Sequence, residues 1–156
     1  MDAICNIYLF FNNLRTGRFL SRLGLKEYVP LEKLLELIST RDNGKRMPHL
    51  NYFIKNFYIY YKNQYSSSSV SVAFLPCVDT EELALPYDCY SDPSCKIMGY
   101  KILRTDLIKH AEILGVEAFP TARDIYLKLI EKPENILSIE NASEVFSFAA
   151  KLQRGK

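Results

Sequence analysis

Residues 104–131 read RTDLIKHAEILGVEAFPTARDIYLKLIE, and this stretch decides the fold class. Thr105 or Asp106 offers a capping oxygen at its start, and Gly115 offers the left-handed stop that side-chain-bearing residues resist. Pro120 or Thr121 then opens a second helix, which Pro133 halts. Further on, Asn141-Ala142-Ser143-Glu144 places an acceptor side chain three residues before a carboxylate, the pattern of a capping box, and opens a helix to Gln153. Helices are therefore expected near 105–114, 121–131 and 142–153.

Upstream the signals are mixed. Ile4–Phe11 (ICNIYLFF), Val70–Leu75 (VSVAFL) and Lys96–Leu103 (KIMGYKIL) are rich in β-branched and aromatic residues, predicting strands near 4–11, 70–75 and 96–103 with Gly99 as a bulge or bend. Pro30–Ser39 has proline at the first helical position, Glu32 at the positive end of the dipole, and Leu31, Leu34, Leu35 and Ile38 on one face. It predicts a helix near 30–39, closed by the turn residues Arg41-Asp42-Asn43-Gly44. Pro48 then starts a helix near 48–63, although Phe57–Tyr61 has strong strand propensity of its own. The sum is an α+β fold, one globular domain over residues 1–156, with no linker and no transmembrane segment. Ile4–Phe11 falls far short of the roughly 18 apolar residues a span needs.

Charge is close to balanced at +2, which creates no global field demanding nucleic acid. It is unevenly spread: residues 1–65 carry +5, residues 66–100 carry −4 and residues 101–156 carry +1. Eleven tyrosines and nine phenylalanines, without tryptophan, supply rings that can coat a binding face. With no secretory signal in view, Cys5, Cys77, Cys89 and Cys95 are expected as reduced thiols of an intracellular protein, cytoplasmic or nuclear. A Cys89–Cys95 bridge across the Pro-containing loop is the alternative to free thiols there.

Catalytic patterns are missing where they are usually read. The chain has no G-x-S-x-G elbow, no Walker loop and no G-x-G-x-x-G. Cys77, Cys89 and Cys95 contain no C-x2–4-C pair, so no metal site and no cofactor is expected. The acids of the 79–92 loop (Asp79, Glu81, Glu82, Asp88, Asp92) could hold a divalent ion for a metal-dependent hydrolase, yet no D/E-x-K triplet accompanies them.

The expected function is that of a non-enzymatic binding or adaptor protein, making a surface contact with a macromolecular partner, protein rather than nucleic acid. Tyr52, Tyr58, Tyr60 and Tyr65 are the candidate contact residues. The abundance of Asn, Ile, Lys and Tyr is that of an AT-rich viral or parasite genome, for which the partner would be a host factor. The alternative is nucleic-acid binding. Ala111–Val116 with Thr121 resembles the helix-turn-helix of transcription regulators, in which a small residue lets two helices cross closely. The resemblance implies Thr121, Arg123 and Lys128 as a reading face, while Pro120 and the position of Ile125 depart from the pattern. Arg15, Arg18 and Arg22 form a basic stripe that could hold phosphates.

Overall fold

The computed structural model describes residues 22, 28–131, 133 and 142–154. The strand expected at 4–11, Cys5, Arg15, Arg18 and the cap residue Asn141 lie outside the described residues. The architecture is α+β, as the sequence predicts: helices with a small set of short strands. The chain divides into two compact units, residues 1–66 and residues 67–156.

In the first unit, α1 (Leu31–Ile38) buries Leu34, Leu35 and Ile38, the face its leucine spacing predicts. α2 (Asn43–Asn56) begins five residues earlier than expected. Arg41–Gly44 does more than close α1, because Asp42 accepts a hydrogen bond from the Gly44 amide at 2.9 Å and caps α2. Pro48 therefore sits inside the helix. Arg46 is buried and donates to the carbonyls of Thr40 (2.9 Å) and Arg41 (2.8 Å), tying the loop between the two helices.

α2 widens into a π-helical turn over Phe57–Tyr61. A four-residue spacing drifts about 40° around an α-helix, because the turn holds 3.6 residues. A wider turn reduces that drift, and rings spaced four apart stay together. Phe53 meets Phe57, Tyr61 and Tyr65 at centroid distances of 5.6, 5.5 and 5.2 Å. Tyr61 is fully buried, and its hydroxyl donates to the Val29 carbonyl at 2.8 Å. Burial, with Tyr52 beside it, raises its pKa well above the ordinary phenol range.

The second unit is built around β4 (Lys101–Ile102). β1 (Leu75–Pro76) pairs antiparallel with β2 (Leu83–Ala84), and β3 (Cys89–Tyr90) pairs parallel with β4. A single antiparallel bridge, Cys77 to Leu103, joins the two pairs. The strands are shorter than expected. Over 70–75 only Leu75 is in a strand, continuing into Pro76, whose ring ends regular pairing. Over 96–103, Pro93–Met98 forms a 3₁₀ helix that Gly99 stops at φ +67°. Asp92 begins that turn by accepting from the Ser94 amide at 2.8 Å.

The expected 105–114 helix is 3₁₀ over Thr105–His110 and α only in α3 (Ala111–Leu114). Neither Thr105 nor Asp106 caps it: Arg104 holds the cap position, and Asp106 instead accepts from its guanidinium at 2.6 and 2.9 Å. α4 (Ala122–Glu131) and α5 (Ala142–Arg154) follow. Tyr90, Cys95, Met98, Ile102, Ile125, Val145 and Phe148 form one buried cluster of this unit. Cys77, Cys89 and Cys95 are free thiols, so the Cys89–Cys95 bridge is not formed.

Two substitutions test this packing. Tyr61→Phe removes a donor from a buried carbonyl and is expected to cost about 1–2 kcal/mol in urea unfolding. Gly115 has φ +68°, and a Cβ there would lie 2.3 Å from that of Ser67. Gly115→Ala combines left-handed strain with a clash and is expected to cost about 2–3 kcal/mol in the same measurement.

Candidate partner-binding cleft

The orientation of α4 is set at both ends. At its start the Thr121 amide and hydroxyl donate to Asp124 Oδ2 at 2.9 and 2.6 Å, and the Asp124 amide donates back to Thr121 Oγ1 at 3.2 Å. This is a reciprocal capping box, with aspartate where glutamate is more usual. Toward its end, Lys128 Nζ lies 4.0 Å from the centroid of the Tyr100 ring and donates to the Gly99 carbonyl at 3.1 Å. So fixed, α4 turns Ile125 into the buried cluster. α5 packs on α4 and on the 93–98 turn, burying Val145 and Phe148.

Between these elements lies a cleft of about 1350 Å³. Ile97, Ile125, Phe148 and Leu152 give it apolar walls, and Phe119 and Pro120 lead into it. Phe119 remains 41% exposed. Hydroxyls of Ser94, Thr121, Ser143 and Ser147 line it, with Lys96, Lys151 and Glu144 as its charged groups. Lys96 is ion-paired with Asp79. A second cleft of about 640 Å³ lies between β3, the Gly99 turn and α4, lined in part by Tyr87, Tyr100, Asp124 and Lys128. Among the described residues the Tyr100 hydroxyl there is buried without a hydrogen-bond partner, and its ring stands edge-on to Tyr90 at 4.8 Å.

Burial dominates the titration of the groups behind these clefts. It pushes the Cys95 thiol up to about 11, with Asp92 adding to the rise. It pushes Tyr90 up to about 12, with Asp124 adding. Neither thiol nor phenol is activated as a nucleophile.

The structure places the sequence-named residues as follows. Tyr58 is 62% exposed, with Lys62 Nζ 5.7 Å from its ring centroid. Tyr60 stacks on Tyr28 at 4.8 Å, Tyr65 packs on Phe53 and Phe57, and Tyr52 is half-buried. Of the four, Tyr58 alone offers most of its surface. Arg22 is exposed. Arg123 is exposed on α4, whereas Thr121 and Lys128 are already engaged within the fold. Three of the five acids of the 79–92 loop have separate partners. Asp79 pairs with Lys96, Glu82 with Lys101 at 3.0 Å, and Asp92 caps the 93–98 turn. Among the described residues no three His, Cys, Asp or Glu side chains converge as metal ligands.

Sequence reading missed Phe119, Phe148 and Leu152. Phe119-Pro120 immediately before a capping box was a visible signal for an aromatic presented at a helix entrance. The convergence of α5 on the 93–98 turn had no local signal.

The family model described as "Protein of unknown function (DUF3684)" matches residues 9–154. The chain belongs to the DUF3684 family. Its match runs through both compact units, so α4, α5 and the cleft between them lie within the family's span. No curated protein and no solved structure matches the chain. Among the described residues no helix is long and apolar enough to cross a membrane.

The raised values of Cys95 and Tyr90 set a pH dependence. A group whose folded pKa lies above its unfolded value contributes stability fully below the unfolded pKa and loses it on rising through the folded one. Stability is therefore expected to fall from pH about 9 upward, as Cys95 passes about 11 and Tyr90 about 12. Urea midpoints across that range check it, and Cys95→Ala with Tyr90→Phe should make the decline shallower, with the share of the other buried groups raised in the same way, Tyr61 among them, remaining.

Proposed function

We propose that this chain is a non-enzymatic binding protein that docks a polypeptide segment of a macromolecular partner in the cleft between α4, α5 and the 93–98 turn. The observation that carries the reading is the size and lining of that cleft. At about 1350 Å³ it exceeds the roughly 300–1,000 Å³ typical of small-molecule sites. Its apolar walls and hydroxyl groups suit a segment with apolar anchors and hydrogen-bonding groups between them. The reading moves the contact away from the tyrosines. Tyr52, Tyr60 and Tyr65 are half-buried, leaving the exposed Tyr58 with its exposed neighbour Ile59 as a subsidiary contact.

Protein is favoured over nucleic acid as the partner. Asp124 stands beside Thr121 where a phosphate would approach, and the Lys128 ammonium is occupied by Tyr100 and Gly99.

The test is quantitative affinity capture on immobilised chain, with Ser147→Arg to fill the cleft from an exposed position and Tyr58→Ala as comparison. Ser147→Arg is expected to reduce the captured partner at least about tenfold, since a clash in a packed pocket removes its anchors. Tyr58→Ala should reduce it by no more than about threefold. Equal capture by wild type and Ser147→Arg would overturn the reading, as would tight binding of DNA or RNA oligonucleotides at low salt in an anisotropy titration.

A further inference from the structure

α4 has a second face that the cleft does not use. Ile125 points into the buried cluster, and Leu129 packs against it. On the outer side Arg123, Tyr126, Leu127, Ile130 and Glu131 are all exposed, with Tyr126 at 63%, Leu127 at 43% and Ile130 at 58%, and Leu127 and Glu131 also form one edge of the second cleft. From Arg123 these fall at i, i+3, i+4, i+7 and i+8, one continuous stripe of the helix. Such spacing, with apolar residues inside and charges at the ends, is that of a helix built to lie against another.

The charges identify the partner. Arg123 stands four residues before Leu127 and Glu131 four residues after it. Each is about 6 Å along the axis from Leu127, at 1.5 Å per residue. If two copies of α4 pack antiparallel about a two-fold axis at Leu127, each Arg123 comes level with the Glu131 of the other copy. The stripe is complementary to itself, as a two-fold interface requires. Among the described residues neither Arg123 nor Glu131 has an ion-pair partner within the chain.

We propose that the outer face of α4 is a self-association surface, on which a second copy of this chain packs its own α4 antiparallel, with Tyr126, Leu127 and Ile130 at the centre and two Arg123–Glu131 pairs at the ends. The helix has ten residues and is about 15 Å long, so the contact belongs to the small, transient class below about 1,200 Å². Association is therefore concentration-dependent, and it weakens as salt screens the end pairs.

Sedimentation velocity of the full chain from about 10 to about 500 µM, a range suited to weak interfaces, tests this directly. The wild type is expected to shift from monomer toward dimer. Arg123→Glu alone, or Glu131→Arg alone, places like charges level at both ends and should weaken association at least about tenfold. The two single variants mixed in equal amounts should associate with each other, and the double reversal should recover self-association. Both substitutions favour the helix dipole, and circular dichroism verifies that each variant is folded. Ile130→Ser should weaken the wild-type dimer without affecting the charge pattern. A monomer throughout the range, single reversals without effect, or a mixture that stays monomeric would each overturn the proposal.

Discussion

β4 is the constraint on which the second unit depends, because this short strand is bonded along both edges. On one side the Val78 amide donates to the Ile102 carbonyl at 2.8 Å and the Arg104 amide to that of Pro76 at 3.0 Å. On the other the Leu103 amide donates to the Tyr90 carbonyl at 2.9 Å. Such pairing satisfies backbone groups that burial would otherwise leave without water, and Ile102 and Leu103 are buried. The strands are too short to be stable as isolated hairpins, so their persistence depends on the side chains packed over them. The segment after Gly115 is bound into the same framework, since Ser91 and Asp92 donate to the carbonyls of Glu117 and Ala118. That fixes Phe119-Pro120 where α4 begins.

α4 is consequently a helix with three different surroundings. One side is buried, one borders the larger cleft, and one is exposed, with its Leu127 and Glu131 edge lining the second cleft. Its capping box and the Lys128 contact with Tyr100 and Gly99 hold the rotation of the helix, and that rotation decides which residues each surface receives. The same contacts reduce what Thr121 and Lys128 could offer a nucleic acid. A recognition helix needs its polar side chains free toward the groove, whereas here the outward residues at the middle of the helix are Tyr126, Leu127 and Ile130.

Helices with strong end signals were legible in the sequence. α1 followed from its leucine spacing, and the start of α4 from Pro120 and Thr121. Less legible were places where one residue type serves two structures. Asp42-Asn43-Gly44 has turn chemistry, and the same Asp42 oxygen that makes a turn also makes an N-cap. Phe57–Tyr61 satisfies strand propensity, yet contact with Phe53 holds it in a widened helical turn. KIMGYKIL has strand composition throughout, but Asp92-Pro93 begins a 3₁₀ turn that consumes its first three residues before Gly99 reverses the chain. The cleft was hidden for another reason. Its walls come from segments about 50 residues apart in sequence, and no local pattern records that they meet.

Functionally, the chain carries a large cleft with apolar walls, the described thiols are buried, and among the described residues the acids do not converge with His or Cys as metal ligands. Recognition of another polypeptide is the activity we propose for such a surface. The most direct measurement is photocrosslinking in cells with a benzophenone amino acid placed at Ser147 inside the cleft, and separately at Tyr58. The account predicts a discrete polypeptide adduct from Ser147 that is absent or weak from Tyr58. Adducts from Tyr58 alone, or nucleic acid as the species captured at Ser147, would contradict it.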